Sequence, residues 1–130
     1  MKDGAAKIKV SHGSQQLEVP VSVAGIIEKP AVNYLEQIRP ILAKNGCAMA
    51  ACHAAQHGQG GFKLSVFGFE PDKDRTAMIR DSIGRRVSFV SPEQSLLLLK
   101  PTMQTPHGGG RRLEKGGVDY QMLVAWINGG

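Results

Sequence analysis

Apolar and polar residues alternate over residues 5–11 and again over 16–23, where Ile8 and Val10 are answered by Leu17, Val19, Val21 and Val23. Side chains two apart share one face of a strand, so each stretch predicts a β-strand. His12-Gly13-Ser14-Gln15 between them carries turn chemistry, and together they predict a β-hairpin. Pro20 lacks a backbone N–H, which suits the second strand to a sheet edge. A lone hairpin is marginal in water, so this one is expected to dock, to pair with another chain, or to be the remnant of a larger sheet.

The pattern changes after residue 32. Asn33 is a good N-cap for a helix reaching Asn45, with Gly46 just past its end and Leu35, Ile38, Ile41 and Leu42 on one face. Pro40 is a cost inside that helix, predicting a kink or a late start. Gly58–Gly68 reads as irregular, with Phe62, Leu64, Val66 and Phe67 as packing groups, and a short helix is expected over 72–82. Ser91-Pro92-Glu93-Gln94 looks like a capping box opening a helical turn at Leu96–Leu99, which Pro101 stops. Thr102–Gly117 is a loop with glycines at 108, 109 and 110, and the chain closes with a helix over 118–128 whose apolar face is Met122, Leu123, Trp126 and Ile127. The expected organisation is a hairpin over 1–24, a linker over 25–32 and a domain of short helices and long loops over 33–130. Loops this long usually have a function or a ligand to organise them.

Composition narrows the classes. With 130 residues the chain is one domain, or one domain plus an appendage. It holds one Trp, two Tyr and four Phe, a thin aromatic supply that a buried cofactor would supplement. The net charge of +5 draws anionic partners, but neither a groove-reading helix nor aromatic platforms accompany the basic residues, which argues against nucleic acid. No stretch approaches the roughly 20 apolar residues of a membrane span, and the first residues lack the apolar core of a signal peptide. Two cysteines allow a single disulfide at most.

Those two cysteines carry the chemistry. Cys47-Ala48-Met49-Ala50-Ala51-Cys52-His53 places a His directly after the second thiol. Covalent haem attachment needs two thiols to add across the vinyl groups and a His beside the second to reach the iron. The usual spacing has two intervening residues. Here there are four, small enough to loop out while the sulfurs keep their separation. Three other readings stay open: a disulfide, two free buried thiols, or a structural zinc site using Cys47, Cys52 and two of His53, His57 and His107.

This segment, followed by Gly60-Gly61-Phe62-Lys63-Leu64-Ser65-Val66-Phe67-Gly68-Phe69, resembles the haem domain of planctomycete-type cytochrome c proteins. Gly84-Arg85-Arg86, Pro92 to Pro101, Pro106-His107-Gly108-Gly109-Gly110 and Trp126-Ile127 extend the resemblance over 33–130 in the same order. Ala48 and Ala50 depart from it, where relatives often carry Asn and Gly. The resemblance implies a mainly α, class I-like cytochrome c fold around one covalent haem c, preceded by the hairpin as the end of an upstream bacterial immunoglobulin-like domain. It implies an electron carrier rather than an enzyme, working with a redox partner or with other domains of a longer parent chain. Because haem is attached outside the cytoplasm, a periplasmic or otherwise extracytoplasmic location follows, with the export signal in the precursor.

Related small cytochromes place a ligating Met before a Pro-Pro-Gly stretch; here Thr105 stands at that place, before Pro106-His107-Gly108. His107, on a loop that glycines let approach a flat ligand, is therefore the expected sixth ligand opposite His53. Met103 is the alternative. Met49 is too close to the attachment loop, while His57 and His12 read as exposed. Two imidazoles leave no vacant position, which favours outer-sphere electron transfer; a gas sensor with a displaceable sixth ligand is the other haem reading. Arg85, Arg86, Arg111 and Arg112 are candidate partners for the propionates. Edge pairing of the N-terminal strands leaves a homodimer open.

Overall fold

The computed structural model describes residues 3–26 and 31–130. It divides into two compact units, Met1–Pro30 and Ala31–Gly130. Residues 27–30, in the middle of the expected linker, lie outside the described residues.

In the first unit, β1 (Gly4–His12) and β2 (Gln15–Val23) form an antiparallel ladder in which Ile8 faces Val19 and Val10 faces Leu17. Gly13 takes the positive φ of 59° that the tight turn requires. Alternation then puts Ala6, Ile8, Val10, Leu17, Val19, Val21 and Val23 on one face, and Lys7, Lys9 and Glu18 on the other. Every residue of both strands is exposed. Glu18 pairs with Lys7 at 3.0 Å and Lys9 at 3.3 Å. At the open end the Asp3 carboxylate accepts the Gly25 and Ile26 N–H groups, which hold its pKa below the ordinary carboxylate value.

The second unit begins with a π-helical turn over Tyr34–Ile38 that runs into α1 (Arg39–Lys44). Asn33 caps the start, its side-chain oxygen accepting the Leu35 and Glu36 N–H groups. The wide turn is the answer to Pro40: an α-helix continuous through it would lose a bond and press the ring on a carbonyl, so the α-helical part starts just before the proline. Next come α2 (Pro71–Ile79), a 3₁₀ turn at Pro92–Gln94, α3 (Leu96–Leu99) and α4 (Val118–Gly129). Ile38, Leu64, Met78, Leu98, Leu123 and Ile127 are fully buried, and Tyr34 packs on Trp126 with ring centres 5.7 Å apart. Asp119 in the first turn of α4 takes Lys44 at 2.8 Å and the Asn45 amide at 2.9 Å, tying the end of α1 to the start of α4.

A mainly α, class I-like cytochrome c architecture was expected, and the structure corrects it. The described chain is a small mixed α/β protein, with a two-stranded antiparallel sheet of nine-residue strands in its first unit and helices of 6, 9, 4 and 12 residues in its second. The helices are short, with Pro40, Pro71 and Pro92 in first turns, where proline is tolerated, and Pro101 just past α3, while the hairpin adds a two-stranded sheet. Two local expectations also change. Ser91 makes no side-chain cap; instead the buried Ser95 hydroxyl accepts the Ser88 N–H, and extended backbone at Ser95 separates the 3₁₀ turn from α3. Val66 and Phe67 do not pack inside. Phe67 is 64 % exposed in a left-handed conformation, on a turn fixed by the Asp74 carboxylate, which accepts the Ser65 N–H and hydroxyl. Among the described residues no helix is long and apolar enough to cross a membrane.

Candidate functional site

The end of α1 delivers the first cysteine. Gly46 adopts a φ of 75°, its N–H bonds the Ala43 carbonyl at 3.0 Å, and the Cys47 N–H bonds the Leu42 carbonyl at 2.9 Å. This pair of bonds is a Schellman ending, which turns the chain sharply out of the helix. A Cβ at position 46 would also stand 3.3 Å from Arg112 Nη1. From Cys47 the chain coils on itself. The Cys52 and Ala54 N–H groups both bond the Met49 carbonyl, and the His53 N–H bonds the Cys47 carbonyl at 3.1 Å. The four intervening residues are thus taken up in a closed loop that returns His53 beside Cys47. Both cysteines are free thiols and half-buried. Burial, then the neighbouring Cys52, pushes the Cys47 thiol up to about 11 against the opposing charge of Arg112.

The His53 carbonyl accepts the Leu64 N–H at 2.8 Å, so the fully buried Leu64 anchors the segment in the core. The ring of His53 packs on Phe62, with centres 4.5 Å apart, and its Nδ1 lies 3.0 Å from the Phe62 carbonyl. A carbonyl can only accept, so Nδ1 carries the proton and Nε2 keeps its lone pair. Burial lowers the His53 pKa; the Phe62 carbonyl opposes this, while His107 and Arg86 add to it.

His107 arrives from another direction. The Pro101 carbonyl accepts both the Arg112 and Leu113 N–H groups, closing the base of a loop. At its tip the Gly110 N–H bonds the His107 carbonyl at 2.9 Å, and His107 Nδ1 bonds the Gly110 carbonyl at 2.8 Å. His107 is therefore in the same tautomer as His53. The two rings lie 6.2 Å apart between centres with planes 17° from parallel.

Both imidazoles and both thiols line one cavity of about 410 Å³, within the usual range for small-molecule and cofactor sites. Ile41, Leu42, Phe62, Leu96, Leu97, Leu113 and Leu123 make its apolar walls, and Arg85, Arg86, Lys100 and Arg112 bring positive charge. Among the described residues no carboxylate lines it. Of the four arginines singled out from sequence, Arg111 is absent from the lining and forms an exposed pair with Glu114. Arg86 is committed to protein carbonyls. Lys100 lines the cavity without having been singled out; its only signal is a cation directly after the buried Leu97-Leu98 turn. Met103, 45 % exposed, lies outside the lining, as do Met49, His57 and Thr105. His12 sits in β1 of the other unit.

The donor set fits a covalently held, flat, anionic group carrying a metal. Each imidazole has its Nδ1 engaged by a backbone carbonyl, the arrangement that orients metal-ligating histidines. A structural zinc site takes four ligands, and among the described residues no three His, Cys, Asp or Glu side chains gather as a metal-holding group. Comparisons with known protein families, with characterised proteins and with solved structures returned no match.

Proposed function

We propose that this chain holds one haem c and serves as a monohaem electron-transfer domain. The observation that carries the reading is the His53–His107 pair, 6.2 Å apart between ring centres, over the cavity that the Cys47 and Cys52 thiols also line. In this reading Cys47 and Cys52 hold the group through thioether bonds, and His53 and His107 ligate it. When bound, the group would supply a one-electron couple. The protein's part is to orient and to hold. The Phe62 and Gly110 carbonyls fix the two tautomers, so each Nε2 presents its lone pair. The leucine walls would pack against the group, and Arg85, Lys100 and Arg112 would offer cations to its propionates. Two imidazoles in place of an imidazole and a thioether favour a lower reduction potential. Covalent attachment places maturation outside the cytoplasm, with a redox partner or further domains of a longer chain exchanging the electrons.

Expression with c-type maturation machinery tests this. The expected result is a c-type pyridine haemochrome spectrum, with haem that survives acidified-acetone extraction and a low-spin spectrum in both oxidation states. A colourless protein after such maturation defeats the reading.

A further inference from the structure

Arg86 is only 7 % exposed, and among the described residues it forms no ion pair within 4.0 Å. Its charge is met by backbone instead. Nη1 donates to the Ala77 carbonyl at 2.9 Å and the Asp81 carbonyl at 3.0 Å, while Nη2 donates to the Gly61 carbonyl at 2.6 Å and the Ser82 hydroxyl at 3.2 Å. One planar group thus joins the end of α2, the turn after it and the Gly61-Phe62 segment. Only guanidinium has a rigid fork with enough donors for this, since a lysine delivers every proton from one atom.

The Gly61 bond matters most. Gly61 precedes Phe62, and the guanidinium carbon also stands 4.8 Å from the centre of the Phe62 ring. Arg86 therefore grips Phe62 by the adjoining peptide and by the ring face, a cation–π contact. Phe62 in turn meets His53 twice, with its ring at 4.5 Å between centres and with its carbonyl on Nδ1. Among the described residues nothing comparable stands behind His107, whose carbonyl partner belongs to its own turn.

We infer that Arg86 is a positioning residue for His53, acting through Gly61 and Phe62 to fix the imidazole's tautomer and orientation, rather than a partner for an anionic group in the cavity. This rests on the haem reading for its purpose, but not for its geometry.

The test uses the full chain before maturation, with the imidazole nitrogens read by long-range proton–nitrogen NMR. The wild-type chain should show the Nδ1–H tautomer at both His53 and His107. In Arg86→Met, the Nδ1–H to Nε2–H ratio at His53 should fall at least several-fold, with His107 unchanged. Arg86→Lys keeps the charge but not the fork, and should resemble Arg86→Met. An unchanged His53 in both variants overturns the inference, and so does an equal shift at both histidines, which would mean general loosening. Should Arg86→Met lose the near-ultraviolet signal of Trp126 and so prove unfolded, Arg86→Lys decides alone by the same criteria. Parallel maturation keeps the two proposals apart. Missing haem with a selective His53 shift ends the haem reading and leaves the positioning role, whereas normal haem with no shift does the reverse.

Discussion

His53 and His107 each give an Nδ1 proton to a backbone carbonyl, but the acceptor is nine residues away for the first and three for the second. His53 is held by distant parts of the chain: the Cys47 carbonyl at its N–H, the buried Leu64 at its carbonyl, Phe62 on its ring and Arg86 behind Phe62. His107 sits on a turn stitched to itself, whose ends are fastened where the Leu99 carbonyl receives Gln104 and Thr105 and the Pro101 carbonyl receives Arg112 and Leu113. The same bond thus belongs to two kinds of support. Long-range support fails only when the core fails, while a self-contained turn can shift without disturbing anything beneath it.

The largest expected difference lies in the matured protein. His107→Ala should keep its covalent haem at near wild-type yield but lose the low-spin spectrum and bind carbon monoxide when reduced. His53→Ala should lose most of its haem-loaded yield. Equal yields would erase the distinction. Next comes stability. Phe62→Ala, at a half-buried site, should cost about 2–3 kcal/mol, the low side for losing such a ring, whereas His107→Ala should cost less than about 1 kcal/mol. Urea denaturation of the haem-free chain measures both.

Acid should act on His53. The folded state lowers the pKa of His53 below its ordinary 6.5, chiefly by burial. Between the folded value and 6.5 the unfolded chain binds the proton that folded His53 refuses, so stability falls as pH drops through that window. The contribution is present in full above it. His53→Asn should flatten that part of the stability–pH curve, and an undiminished slope would remove His53 as its source. A smaller effect is expected at Gly109, where a Cβ would lie 2.9 Å from His107 Cε1 and 3.3 Å from Nε2. Gly109→Ala should displace the His107 ring, shifting its NMR resonances while leaving the Nδ1–H tautomer of His53 unchanged, at a cost of about 1 kcal/mol or less. The least is expected of Arg111→Ala: its pair with Glu114 spans 3.7 Å between exposed groups, so stability should stay within about 0.5 kcal/mol.

The sequence displayed the long-range half of the site less well than the local half. Asn33, Gly46, Gly13 and the apolar face of α4 announce themselves because caps, turns and periodicity depend on neighbours in the chain. Cys47, Cys52 and His53 are legible for the same reason, and His107 through its glycine-rich surroundings. Arg86 was legible only as a charge. Its acceptors at Gly61, Ala77 and Asp81 come together solely in the fold, and no pattern near position 86 signals them. Ser95 was missed for a related reason: Ser91-Pro92-Glu93-Gln94 has every local mark of a capping box, but the Ser88 N–H reaches Ser95 instead. The mainly α expectation failed because it set the hairpin aside as an appendage, whereas its two nine-residue strands are a large share of the regular structure when the longest helix has 12 residues.

The Cys47 thiol, held protonated up to about pH 11, has a bearing on the order of events in time. Folding therefore withholds the thiolate, the form of this sulfur that reacts. If a bond is to be made to Cys47, the chain offers its best opportunity while it is still unfolded, and once α1 and its Schellman turn have closed that opportunity has largely passed.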